Sequence, residues 1–226
     1  MSGRRSVQPD AEAVARDAAE AIAQAILAAA AVAAKPFHLA LAGGTTPKRA
    51  YELLAARPLP WPRVQFWFGD ERCVTPDHPD SNYAMARSAL FERAFLPAAN
   101  VHRMRGELLD REAAAREYEA ALPPKLDLLL LGIGPDGHTA SLFPGSNALR
   151  EKARRVVAVT GPKPPPNRLT ITPPVIAAAA RVLVVATGAE KATAVRCAFE
   201  SDTDPIECPA RLLRDAEWHL DRAAAG

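Results

Sequence analysis

His138 closes the turn Gly134-Pro135-Asp136-Gly137-His138, with a carboxylate close before it at Asp136. An imidazole titrates near neutral pH, so it can take a proton from water and return it within one turnover; Asp136 could orient the ring or raise its basicity. The competing role is purely structural, a histidine capping a helix that begins near Thr139. An acidic neighbour in a glycine turn at the end of a buried strand favours catalysis. The same stretch, Gly132 to Gly137, formally matches the dinucleotide pattern G-x-G-x-x-G. That use is rejected because Asp136 would set a carboxylate against the pyrophosphate and Pro135 lacks an N–H. Nor does an acidic residue end a strand about 20 residues later, where a ribose partner is expected.

Three further clusters carry polar groups suited to an anionic ligand. In Gly43-Gly44-Thr45-Thr46-Pro47 the glycines let backbone N–H groups approach an anion and the threonines offer hydroxyl donors. Pro47 suits the first helical position, which would aim the positive helix end at a phosphate; the alternative is a plain strand-to-helix turn with Thr46 as N-cap. Asp70-Glu71-Arg72 supplies a carboxylate pair for acid/base work and an arginine for a phosphate or a developing oxyanion, or else it is a solvated loop with a local ion pair. Arg168 follows the proline-rich segment 161–166 and either reaches the site from a stiff loop or decorates the surface. Lys191, after Thr187-Gly188 and near the start of its helix, is a second candidate phosphate ligand; the alternative is an ordinary solvent-exposed helical lysine.

These residues need elements to position them. Phe37 to Ala42, Val64 to Phe68, Leu126 to Ile133 and Arg181 to Thr187 are short apolar runs ending in glycine or polar residues, and they read as buried strands. The run at 126–133 is the most apolar and suits the middle of a parallel sheet covered on both faces. Helices are expected from Asp10 (N-cap) to about Ala34, from Pro47 to about Ala56, from Ser81 to near Phe95, from Asp110 to Leu122 and from about Ala189 to Phe199. A polar loop is expected over 69–80, β-like runs at 155–160 and 168–172, and an edge strand near Trp218 to Leu220. Alternation of strands and helices predicts an α/β fold: a Rossmann-like parallel-sheet core with helices on both faces and some mixed or edge strands in the C-terminal half. No repeat or linker divides the chain, so residues 1–226 read as one domain. In parallel sheets ligands bind beyond the carboxyl ends of the strands, which would bring all four clusters to one edge.

Composition narrows the function classes. A net charge of +2 with 6% aromatic residues gives no basic, stacking surface for nucleic acid. The alanine-rich run from Ala21 to Ala34 is shorter than a membrane span. Cys73, Cys197 and Cys208 are odd in number and widely spaced, which argues against a disulfide framework or a zinc site. The remaining histidines (His38, His78, His102 and His219) show no metal-ligand spacing. Ser141 lies outside any G-x-S-x-G elbow. The expectation is a cytoplasmic protein, a monomer or weak homo-oligomer, with no metal and with neither nucleic acid nor membrane as partner.

The segments LALAGGTTP (39–47), FWFGDERCV (66–74), DHPDSNY (77–83), LGIGPDGHTASLFPG (131–145) and NRLTITPPVI (167–176) together resemble the 6-phosphogluconolactonase family, in order and spacing, over nearly the whole chain. The resemblance implies hydrolysis of a 6-phosphogluconolactone in the oxidative pentose phosphate pathway without metal or organic cofactor. It carries His138 to the water-activating base, Arg72 and Arg168 to cationic site residues, and Gly44-Thr45-Thr46 to the phosphate loop. A related glucosamine-6-phosphate deaminase typically shows Asp-Glu-Tyr where this chain has Asp70-Glu71-Arg72, and a glutamate where it has Phe143, so deamination is disfavoured. A sugar-phosphate sensor without turnover is the other alternative; the presence of His138, Asp136, Asp70 and Arg72 together makes an enzyme more economical.

Overall fold

In a computed structural model the chain is described over residues 4–32, 35–200 and 202–226. Its elements run β1 (Arg5–Gln8), α1 (Ala11–Val32), β2 (Phe37–Leu41), α2 (Thr45–Ala55), β3 (Val64–Phe68), β4 (Asp70–Arg72), α3 (Asn82–Ala86), α4 (Arg111–Ala121), β5 (Leu128–Gly132), β6 (Val156–Thr160), β7 (Asn167–Ile171), α5 (Pro173–Ala178), β8 (Val182–Ala186), α6 (Ala192–Glu200), β9 (Glu217–Asp221) and α7 (Arg222–Ala225). Six strands form a parallel sheet in the order β1-β9-β8-β5-β2-β3, and β4-β7-β6 form a small antiparallel sheet. Among the described residues no helix is long and apolar enough to cross a membrane.

The all-leucine centre of β5 shows why the parallel sheet forms. Leu128 and Leu130 point into the core under α1 and α2, while Leu129 and Leu131 point into the opposite core with α4 and α6. Each is at most 1% exposed, and burial of such a side chain contributes roughly 1.5–3 kcal/mol. A strand covered on both faces has no polar side, hence its unbroken apolar sequence.

Two buried tyrosines, one on each face, fasten strand ends next to the candidate loops. The Tyr51 hydroxyl of α2 accepts from the Ala42 N–H and donates to the Ala42 carbonyl, both at 2.9 Å. From α4, the Tyr118 hydroxyl does the same for Phe68, at 2.7 and 3.1 Å. Gly69 then turns the chain out of the large sheet. Its N–H donates to Leu41 O, and its carbonyl accepts from Ile171 N–H, so the next residues enter the small sheet.

Several sequence expectations need correction. The segment 69–80 is not all loop, because Asp70–Arg72 pair antiparallel with β7; three polar residues show no readable period. β9 is interior rather than an edge strand, because β1 pairs beyond it. β1 escaped the sequence reading because its four residues are half exposed and carry no apolar run. Helix α2 begins at Thr45, so Pro47 occupies its third position, and Gly44 is the N-cap with φ 110°. Neither Thr46 caps the helix nor Pro47 opens it. No helix starts near Thr139; residues 139–142 form a tight turn instead. Asp10 does cap α1, accepting the Ala13 N–H at 2.8 Å, while the expected end at Ala33 and Ala34 lies outside the described residues. Cys197 and Cys208 are joined by one disulfide with a Cα–Cα distance of 6.6 Å, and Cys73 is free. Wide spacing in sequence did not reveal that α6 folds back against the loop holding Cys208.

Candidate active site

The carboxyl ends of β2, β3, β5 and β8 open onto one cleft of about 360 Å³, as parallel topology requires. Gly43, Gly44, Asp70, Arg72, Gly134, His138, Phe143, Lys163, Arg168 and Lys191 are among the residues that line it. All four sequence clusters therefore converge. A larger hollow of about 1040 Å³ lies beyond Phe143, lined in part by Glu112, Asp136 and Glu151 and by none of the cleft's four cations.

At the end of β5 the chain turns so that His138 folds back over Gly134. Nδ1 of His138 lies 2.5 Å from Oδ1 of Asp136. Burial opposes ionisation of Asp136, but the hydrogen bond and charge of His138 outweigh it and hold the carboxyl below its ordinary range. Burial also pushes the His138 pKa down, against the counteracting pull of Asp136. Both directions describe one resting state, carboxylate beside neutral imidazole. An ionised carboxylate only accepts, so Nδ1 carries the proton and the Nε2 lone pair is left as the basic atom. Phe143 covers the ring, with centroids 4.8 Å apart.

Across the cleft, the antiparallel register sets Arg72 of β4 directly opposite Arg168 of β7. Like charges in that relation repel. Arg168 is 5% exposed; burial and the Arg72 charge both push its pKa down. Its Nε donates to Pro165 O at 3.0 Å, and one terminal nitrogen lies 3.9 Å from Asp70 Oδ2. Arg72 donates to Asp80 O at 2.5 Å, yet its buried Nε has no partner. An anion between the two guanidinium groups would relieve both conditions.

Asp70 lines the cleft with both oxygens already engaged, Oδ1 by Asn82 Nδ2 at 2.9 Å and Oδ2 by Ser141 Oγ at 2.6 Å. Glu71 is turned away from the cleft. It accepts from the N–H groups of Arg72, Asn82 and Tyr83 and from the Ser81 hydroxyl, an arrangement that fastens the start of α3. The supposed acid/base pair is thus divided between the cleft wall and a helix anchor.

Gly43 and Gly44 line the cleft, whereas the two threonines that follow do not. Thr45 faces an adjoining hollow with Lys48 and Asn82, and the Thr46 hydroxyl bonds that of Thr187 at 2.8 Å. Helix α2 nevertheless begins there, and its first N–H groups have no intrahelical acceptor. Lys191 lines the opposite wall; burial pushes its pKa down while Glu190 opposes the shift. Sequence reasoning missed Lys163. It stands among four prolines in the segment 161–166, and a cation in a stiff loop beside Arg168 was the available signal. The other histidines lie elsewhere: His38 accepts from Trp67 Nε1, His78 accepts from the Asp80 N–H, His102 stacks on Trp67, and His219 bonds Asp17 and Glu217.

A family model described as glucosamine-6-phosphate isomerases/6-phosphogluconolactonase matches residues 9–220. A 6-phosphogluconolactonase of Nostoc sp. is 42% identical over 203 residues, covering 83% of this chain and 83% of that protein. One from Synechocystis sp. is 42% identical over 199 residues, 82% of each chain. The solved 6-phosphogluconolactonase of Trypanosoma cruzi has a TM-score of 0.88 at 32% identity, covering 100% of this chain and 97% of that one.

Proposed function

The chain belongs to the glucosamine-6-phosphate isomerase/6-phosphogluconolactonase family, and from that premise we propose that it hydrolyses 6-phosphoglucono-1,5-lactone to 6-phosphogluconate. The observation that carries this reading is the His138–Asp136 pair facing a cleft with four cationic side chains.

In the mechanism we infer, Nε2 of His138 removes a proton from water as its oxygen attacks the lactone carbonyl. The oxyanion of the tetrahedral intermediate is stabilised by the Arg72–Arg168 pair. As the bond to the ring oxygen breaks, the imidazolium returns the proton to that oxygen and the carboxylic acid ionises to its carboxylate. Asp136 holds the ring and stabilises its protonated form. Asp70, its oxygens committed to Asn82 and Ser141, acts by placing neighbouring groups rather than by titrating. The start of α2 at Gly43 and Gly44, with Lys163 and Lys191, holds the phosphate; Thr45 and Thr46 serve it through their backbone N–H groups.

Phe143 stands over His138 where a deaminase has an acidic partner, which supports hydrolysis over deamination. We further place the enzyme in the cytoplasm as a monomer or weak homo-oligomer, and treat it as one folding unit because β5 supplies both cores. Hydrolysis of the phosphorylated lactone above its spontaneous rate, abolished by His138→Ala, tests the reading; a rate equal to the spontaneous one contradicts it.

A further inference from the structure

Ala140, between His138 and Ser141, has φ 48°, in the left-handed region that glycine enters freely and alanine does not. The Leu142 N–H closes this strained turn on Thr139 O at 2.9 Å, and three further bonds tie the turn to its surroundings. The Thr139 hydroxyl donates to Gly132 O at 2.9 Å, the Ser141 N–H donates to Thr170 Oγ1 at 3.1 Å, and the Ser141 hydroxyl donates to Asp70 Oδ2 at 2.6 Å. Thr139 and Ser141 are fully buried, and Ser141 is not among the residues lining the cleft.

The two anchors of Ser141 are themselves a pair. Asp70 lies opposite Thr170 in the small sheet, two residues along from the opposed Arg72 and Arg168. Residues two apart on a strand share a face, so Ser141 docks on the same face of the same ladder that presents the two arginines. The Ser141 side chain is therefore one link that sets the separation between His138 and those cations; Phe143, packed on the His138 ring and under the Arg168 guanidinium, is another. Strained backbone persists only where its surroundings over-determine it, and it gathers at functional sites.

We propose that Ser141 is a positioning residue for the reaction: by docking on Asp70 and Thr170 it holds Ala140 in the left-handed turn and so fixes His138 at its working distance from Arg72 and Arg168. The inference rests on the reading of His138 as the water-activating base. Without the Ser141 hydroxyl, Ala140 relaxes toward an ordinary conformation and carries the imidazole with it. The phosphate-holding residues stay in place, so the loss falls on turnover rather than on binding.

The test is a double-mutant cycle of Ser141→Ala and Ala140→Gly, because glycine removes the drive to relax. We expect S141A to lower kcat about 10- to 100-fold with KM within about threefold, since small misplacements of a reacting group cost on that order. In the A140G background the same substitution should cost less than about fivefold, the strain being absent. Should S141A fold poorly, Thr170→Val removes the other anchor and should give the same kcat loss and the same rescue by A140G. NMR titration of His138 reads the displacement without turnover: its midpoint should shift in S141A, as the balance between burial and the Asp136 contact changes, and return in the double variant. That arm decides the positioning role even if the wild-type chain shows no lactonase rate, a result that would sink the functional reading separately. The proposal is overturned if the His138 titration is unmoved in S141A, if kcat stays within twofold of wild type, or if the loss is equal in both backgrounds.

Discussion

Nδ1 of His138 and Oδ1 of Asp136 meet at 2.5 Å in the space that a side chain on Gly134 would occupy. A Cβ there would overlap both atoms. The glycine is thus a steric condition for the base and its partner to form on a turn after β5. We expect Gly134→Ala to fold, since the clash is with side chains, but to lose at least about 100-fold in kcat because the imidazole must leave its working position. Steady-state kinetics with circular dichroism as a fold control would check this. Near-wild-type turnover would mean the observed His138 pose is not the active one.

The pH dependence follows from the same pair. Turnover needs neutral imidazole, so activity rises with pH through the His138 pKa, which burial sets below its ordinary value of about 6.5. Asp136 opposes that shift, so Asp136→Asn should move the acid limb of kcat/KM to still lower pH while reducing the plateau, the asparagine no longer enforcing the Nδ1–H tautomer. Comparing the two profiles cancels the titration of the substrate phosphate. A limb that moves to higher pH in D136N would contradict the assignment.

Much of this arrangement is legible in the sequence, and the reasons are specific. The apolar run of β5 announces a doubly covered central strand, and parallel topology then places His138, Gly44, Arg72 and Lys191 on one edge. What stayed hidden depends on side-chain direction or tertiary pairing. Glu71 adjoins Asp70 in sequence but points to the opposite side of β4, where it anchors α3. Thr46 follows Gly44, yet its hydroxyl is taken by Thr187 on a distant loop. Lys163 sat unread because a lysine among prolines carries no periodic signal.

The opposed arginines give a binding prediction. With 6-phosphogluconate present, the wild-type protein should gain thermal stability, by about 2.7 kcal/mol at a ligand concentration 100-fold above Kd. Arg72→Met or Arg168→Met should raise KM or lower kcat/KM by at least about tenfold, through loss of a charge-assisted contact. Each should also shrink the ligand-induced shift in Tm. Unchanged shifts in both variants would remove the pair from the site.

Lys163 and Lys191 can be separated from the chemistry by substrate choice. If they hold the phosphate, Lys163→Ala and Lys191→Ala should each raise KM for the phosphorylated lactone about 5- to 30-fold, as roughly 1–2 kcal/mol for an ion contact of this kind gives. Both should leave the slow hydrolysis of unphosphorylated gluconolactone nearly unchanged. Equal losses on both substrates would instead place the lysines at the reacting carbonyl.

The central claim is that one cleft joins a water-activating His138 to a phosphate anchor. Its most direct measurement is kcat/KM for 6-phosphogluconolactone beside unphosphorylated gluconolactone, with ammonia release from glucosamine 6-phosphate followed in parallel. The account requires a preference for the phosphorylated lactone of at least about 30-fold, as two kcal/mol or more of anion binding would give, and no ammonia. Equal rates on the two lactones, or ammonia from the amino sugar, would contradict it.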